Sequence, residues 1–256
     1  MGERLKGDSL MVGSVEKAFR ILEVFTHSNK SLSLTDLSSL TGMNKSAVQR
    51  FAHSLERVGY LDKDPSTKRY RLSVRVMELS AAFVTSNDLI SRVTPYLLHV
   101  SKETDETVSL SMLYGKDIIF LSRFMNRNML HTDVVNGTRM PAYCTAPGIA
   151  MLSALPRERA VAILNGSDLK RYTAHTTCDV SALLRKLDVT RERGFATAIS
   201  EYFLGDISIA AALLDALGEP IGAISVGVPD ARYTAEAAIA KFAPIVMTAA
   251  RNTSLK

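Results

Sequence analysis

The chain is poor in the residues that mark several functional classes. Its two cysteines, Cys144 and Cys178, lie far apart and outside any C-x-x-C pair, which argues against a disulfide framework or a thiolate zinc cluster and leaves two reduced thiols. No apolar run reaches the roughly 18 residues of a transmembrane helix. The opening stretch, MGERLKGDSLMVGSV, lacks the apolar core of a secretory signal. A cytoplasmic protein without a membrane partner is therefore expected. The phosphate-cradling pattern G-x-x-x-x-G-K-[ST] is missing too, and no cofactor is expected.

What is present suits a globular protein. Of 256 residues, 46% are hydrophobic and 22% charged, enough apolar side chain to bury a core, in a chain long enough for two domains. The net charge of +5 is small, but its placement is uneven. Between Met43 and Arg75 stand Lys45, Arg50, Arg57, Lys63, Lys68, Arg69, Arg71 and Arg75 against only Glu56, Asp62 and Asp64. That one segment carries the whole excess, as an anion-binding face requires.

Around it the patterning predicts three short helices and a basic turn. Val15, Ala18, Phe19, Leu22 and Phe25 recur at helical spacing over 14–25, an apolar face that needs a partner. Ser33 with Asp36 forms an N-cap and first-turn acid for a second helix that stops at Gly42. Asn44 opens a third, with Ala47, Val48, Phe51, Leu55 and Val58 on one stripe and Lys45, Ser46, Gln49, Arg50 and His53 opposite. Gly59 ends it, and residues 60–72 read as two short strands around a basic, Pro-containing turn. This order makes a winged helix-turn-helix. Gln49, Arg50 and His53 are candidates for base edges, and Thr35, Lys45, Ser46, Lys68 and Arg69 for the backbone of double-stranded DNA.

Residues 73–83 read as a connecting helix and 89–102 as another. From Thr107 the period becomes two, giving a hairpin over 107–121, then strands at 129–135, 195–199, 207–214 and 221–228, with helices at 146–155, 179–193 and 234–251. Mixed strands and helices on one side predict an α+β sheet domain. The expected division is 10–72 for DNA binding, 73–88 for a linker helix and 89–256 for the second domain. An enzyme reading, with Cys144 as nucleophile, His131 or His175 as base and Asp133 as orienting acid, lacks any local catalytic signature. No enzyme is expected, and His131 with Asp133 makes no metal site without a third ligand.

The stretches GSVEKAFRILEVF, LSLTDLSSLTGMNKSAVQRFAHSLERVGYLDKDPSTKRYRLSVRVMEL, GTRMPAYCTAPGIAMLSALP and GEPIGAISVGVPDARYT resemble the IclR family of bacterial transcriptional regulators, in the family's order. The resemblance implies a winged helix-turn-helix joined by a linker helix to a GAF-like α/β effector-binding domain. It also implies homodimers or homotetramers on palindromic operators of catabolic genes, as repressor or activator, under control of a small organic acid. Family effector positions fall on Met129, Ala146, Pro147, Ser208 and Ser225. Ala198 and Gly227 depart from the polar residues of a glyoxylate-sensing relative, and Ile149 from a common basic residue. The stretch GTRMPAYCT is similar to the subgroup that senses aromatic acids, which favours a larger or aromatic acid. Arg123 suits either an effector carboxylate or an exposed ion pair, and Ser208 either a ligand or the sheet itself. The alternative is a second domain that only oligomerises and senses no ligand.

Overall fold

Amphipathic spacing and strong caps build the first unit of the computed structural model, which describes residues 10–26, 28–126 and 134–254. The chain divides into two units, Met1–Ser86 and Asn87–Lys256. In the first, α1 (Gly13–Glu23) stops two residues short of the expected end. It buries Ile21, while Val15 and Phe19 of the expected core face stay about half exposed. Helix α2 (Leu34–Thr41) begins in a reciprocal capping box between Ser33 and Asp36 and ends at left-handed Gly42, where a side chain would be strained. Asn44 caps α3 (Lys45–Arg57) through the Ala47 amide at 2.8 Å. Its buried stripe is Val48, Ala52 and Leu55, whereas Val58, at the C-cap and expected on that stripe, is exposed.

Strands β1 (Leu61–Lys63) and β2 (Tyr70–Leu72) pair antiparallel, with Leu61 opposite Leu72. A bridge from Leu32 to Tyr70 ties this wing to the start of α2. Ile21, Leu32, Leu37, Val48, Ala52, Leu55, Leu61 and Tyr70 form the small core. Helix α4 (Val76–Ser86) closes the unit without burying one of its residues.

The second unit opens with α5 (Asp88–Thr104), capped by Asn87 and carrying Pro95. The predicted hairpin is β3 (Thr107–Tyr114) and β4 (Asp117–Phe124). The next strand among the described residues, β5, lies at Arg139–Pro141; the strand expected at 129–135 falls largely outside the described residues. Residues 127–133, including Met129, His131 and Asp133, lie outside the described residues. A 3-10 turn (Ala142–Cys144) leads into α6 (Ala146–Ala154), followed by α7 (Arg157–Asn165), which the periodicity did not predict, and α8 (Val180–Arg193). Strands β6 (Ala196–Ile199), β7 (Asp206–Leu214) and β8 (Pro220–Pro229) precede α9 (Ala235–Thr253).

The six strands run β5-β4-β3-β8-β7-β6, every neighbouring pair antiparallel. Helices α5 and α9 cover one face and α6 the other, with α8 packed against α6, so the layers are helix, sheet, helix, where the sequence predicted helices on one side. Burial on both faces explains the near-continuous apolar runs of β7 and β8. Helix α6 is apolar all round and buried from Ala146 through Ser153, as a helix inserted into a core must be. The GAF-like α+β class expected from the sequence holds.

Candidate nucleic-acid interface and effector cavity

The loop between α2 and α3 is held by the Ser38 hydroxyl, which donates to the Met43 carbonyl at 2.6 Å. With that turn fixed, Lys45, Ser46, Gln49, Arg50 and His53 all lie exposed on the outer side of α3, and Thr35 is exposed in the first turn of α2. The wing tip is built by Asp64, whose Oδ1 accepts from the amides of Ser66 and Thr67, each at 2.8 Å, and from the Ser66 hydroxyl. Those donors hold its carboxyl far below the usual range. Lys68 sits in the left-handed region at φ 57° with its side chain exposed. No described residue forms an ion pair with Lys45, Arg50 or Lys68, while Arg20, Arg71 and Arg75 are paired with acids. Arg69 differs from its neighbours on the wing. Its guanidinium turns back to Asp36 at 2.9 Å and to the Ser31 carbonyl at 2.7 Å, clamping the wing to the capping box of α2.

In the second unit, register places a polar row on the sheet face under α6. Arg123 on β4 is opposite Ser109 on β3, which is opposite Ser225 on β8; one step along, Gly227 faces Ser208, and Ser208 faces Ala198 on β6. These residues line a cavity of about 60 Å³, closed by Phe120, Val134, Met140, Cys144, Thr145, Ala146, Pro147, Tyr202 and Phe203, with Glu201 and Asp206 on its wall. Tyr202 and Phe203 meet edge to face at 4.7 Å, a rigid apolar boundary.

Three ionisable side chains set the electrostatics of the cavity: Arg123, Glu201 and Asp206. Arg123 donates through Nη1 to the Ser109 hydroxyl at 3.2 Å and rests over the Phe120 ring, 5.3 Å from its centre. Its Nε is buried, and no described residue accepts from it. Burial lowers the Arg123 pKa, opposed by the charge of Asp206, yet a guanidinium keeps its proton. Asp206 is pushed up to about 7, chiefly by burial, against the pull of Arg123 and with a further push from Asp230. Glu201 pairs through Oε1 with Lys186, while its buried Oε2 has no partner among the described residues. Burial, with the Glu201 charge next, pushes the Cys144 thiol up to about 12, so it is an inert wall group rather than a nucleophile.

Two comparisons by family cover almost the whole chain. The IclR helix-turn-helix domain matches residues 14–65, and the bacterial transcriptional regulator IclR C-terminal domain matches residues 81–255. The chain belongs to the IclR family. This IclR-family protein is thus a transcriptional regulator with a helix-turn-helix DNA-binding domain and an IclR effector domain. It is 30% identical to the HTH-type transcriptional regulator KdgR of Escherichia coli over 243 residues, 95% of this chain and 92% of that one. It is 29% identical to the Pca regulon regulatory protein of Pseudomonas putida over 247 residues, 96% of this chain and 84% of that one. An IclR homolog from Microbacterium hydrocarbonoxydans, crystallised with 4-hydroxybenzoate, shares the fold at a TM-score of 0.80 and 21% identity, covering 94% of this chain and 97% of that one.

Of the effector positions that the IclR resemblance implies, Ala146, Pro147, Ser208 and Ser225 come together in this cavity, and Met129 lies outside the described residues. Pro147 has no amide hydrogen, so at the start of α6 it supplies an apolar wall rather than a donor. Sequence reasoning left Arg123 between two roles and missed Ser109, Glu201 and Asp206. The pairing of Ser109 with Ser225 follows from the register of β3 on β8, which no local pattern encodes. His175 is exposed and absent from the cavity wall. Among the described residues no cluster of His, Cys, Asp and Glu is suited to a metal, and no helix is long and apolar enough to cross a membrane.

Proposed function

We propose that the protein binds a near-palindromic DNA operator as a homodimer or homotetramer and that a small organic acid in the α6 cavity controls it, the regulated genes being catabolic. The carrying observation is the buried Arg123 Nε without an acceptor. A buried donor left unpaired costs about 1–3 kcal/mol, more when charged, and a carboxylate on this guanidinium would recover it. Ser109, Ser208, Ser225 and the Ala146 amide offer further polar contacts, and Phe120, Tyr202 and Phe203 an apolar bed. A volume of about 60 Å³, roughly four to six waters, favours a compact acid over anything larger than one ring. The regulon named for one relative and the 4-hydroxybenzoate held by another agree with an acid of catabolism.

On the DNA side, Gln49, Arg50 and His53 read base edges, while Thr35, Lys45, Ser46 and Lys68 meet phosphates; Arg69 keeps the wing in place and reaches the backbone only from its edge. Dimerisation uses the half-exposed Val15 and Phe19 of α1 with Met77, Leu79 and Phe83 of α4, apolar side chains left uncovered within the first unit. Two copies on one site multiply a weak affinity for each half.

Thermal unfolding with a panel of small carboxylic acids tests the sensing half. At 100 times its Kd an acid should stabilise by about 2.7 kcal/mol, and Arg123→Gln should abolish the response. A full response in that variant, or none to any acid in the native protein, refutes the reading. For the DNA half, Arg50→Ala should weaken a selected duplex by about 1–3 kcal/mol, and Lys68→Ala should weaken all sequences alike.

A further inference from the structure

Asp206 stands on the cavity wall at the start of β7, two residues before Ser208 and on the same sheet face. A side chain at position 227, beside it, would begin 3.7 Å from its Oδ1; glycine there leaves the carboxyl open to the cavity. No described residue donates a hydrogen bond to that carboxyl. An anion seated on Arg123 therefore shares this small cavity with a second carboxyl. Two like charges at such range cannot both persist without a proton between them.

We infer that Asp206 receives the effector as a hydrogen-bond donor, so that the acid enters the cavity together with one proton. The inference rests on the reading of Arg123 as the carboxylate site. It makes Asp206 a specificity residue for acids that offer an acceptor beyond the carboxylate bound to Arg123, such as its second oxygen or an α-carbonyl.

The groups facing Asp206 leave it as the one that changes charge near neutrality. Arg123 on β4 stays cationic, and Glu201, between β6 and β7, is held by Lys186 of α8. Asp230, after β8, adds negative charge that raises it further. Cys144, from the turn before α6, is pushed up to about 12 and stays neutral. With Asp206 at about 7 in the free protein and raised further by a bound anion, affinity is full below that value and falls above it. Binding should take up about 0.9 proton at pH 8 and about 0.1 at pH 6, and Kd should rise about tenfold between them.

Calorimetry with glyoxylate, pyruvate and benzoate, none of which titrates in this range, tests the idea in two buffers of different ionisation enthalpy. The native protein, Asp206→Asn and Arg123→Gln are compared at both pH values. The expected result is proton uptake and a tenfold pH effect in the native protein, both lost in Asp206→Asn, whose amide still donates and keeps affinity near the native value at pH 6. Binding that needs Arg123 but shows no proton uptake, or the same pH effect in Asp206→Asn, overturns this inference alone. Binding indifferent to Arg123→Gln, or no binding by any of the three acids, overturns the site reading and this inference together.

Discussion

Of the described glycines in the effector unit, Gly148 at the start of α6 has the least room, and one methyl group there should dislocate it. A Cβ on Gly148 would lie 2.2 Å from the Ala142 carbonyl oxygen, 2.4 Å from its Cα and 2.6 Å from its carbonyl carbon. All three are backbone atoms of the 3-10 turn, which is itself pinned through the Ala142 amide to the Lys116 carbonyl at 3.1 Å. No rotamer relieves the clash, so turn and helix must part by about 1 Å in a region packed at crystal-like density. Overpacking costs about 1–3 kcal/mol, and immovable neighbours put Gly148→Ala at about 3 kcal/mol. For a unit of this size that is a fall in Tm of roughly 6–12 °C. Calorimetry of the full chain reads it directly, and the acid response should fall with it, since Ala146 and Pro147 move. A Tm within about 1 °C of the native value would refute the close approach.

Leu37→Ala in the small winged-helix core should cost about 2–5 kcal/mol, lowering the melting of the first unit and DNA binding while the acid-induced shift of the second survives. Iodoacetamide near pH 8 should spare Cys144, whose thiol is pushed up to about 12 by burial and Glu201, until the protein unfolds; early alkylation mapped there by mass spectrometry would contradict its place in the wall. Without ligand, Asp206→Asn should stabilise the protein most at pH 8, by about a third of that at pH 5, and hardly at all below pH 4. A carboxyl raised to about 7 on folding costs nothing below its unfolded value near 4 and its full penalty above 7. Equal pH dependence of unfolding in the two proteins would count against it.

Local chemistry made much of this legible beforehand. Ser33 with Asp36, Asn44 and the glycines at 42 and 59 announce where the short helices begin and end, and the cations between Met43 and Arg75 mark the face proposed to meet DNA. The burial of Ile21 rather than Phe19 was hidden, because a helix with apolar groups on two sides does not say which is covered by its own unit. Arg69 reads as a wing-tip cation in sequence and only its distance to Asp36 reveals a clamp. The cavity was half legible: family resemblance named Ala146, Ser208 and Ser225, but Ser109, Arg123 and Asp206 join them through strand register across three strands, and Asp206 gains its chemistry chiefly from burial.

The central claim, that an acid on Arg123 changes how the winged helix holds DNA, is tested most directly by one titration. Duplexes selected from a random library would be bound at fixed salt with and without a saturating acid. The account predicts that the acid shifts the Kd of the native protein by about fivefold or more, as a coupling of 1–3 kcal/mol requires, and leaves Arg123→Gln unmoved. Equal shifts in both proteins, or none in the native one despite proven acid binding, would contradict it.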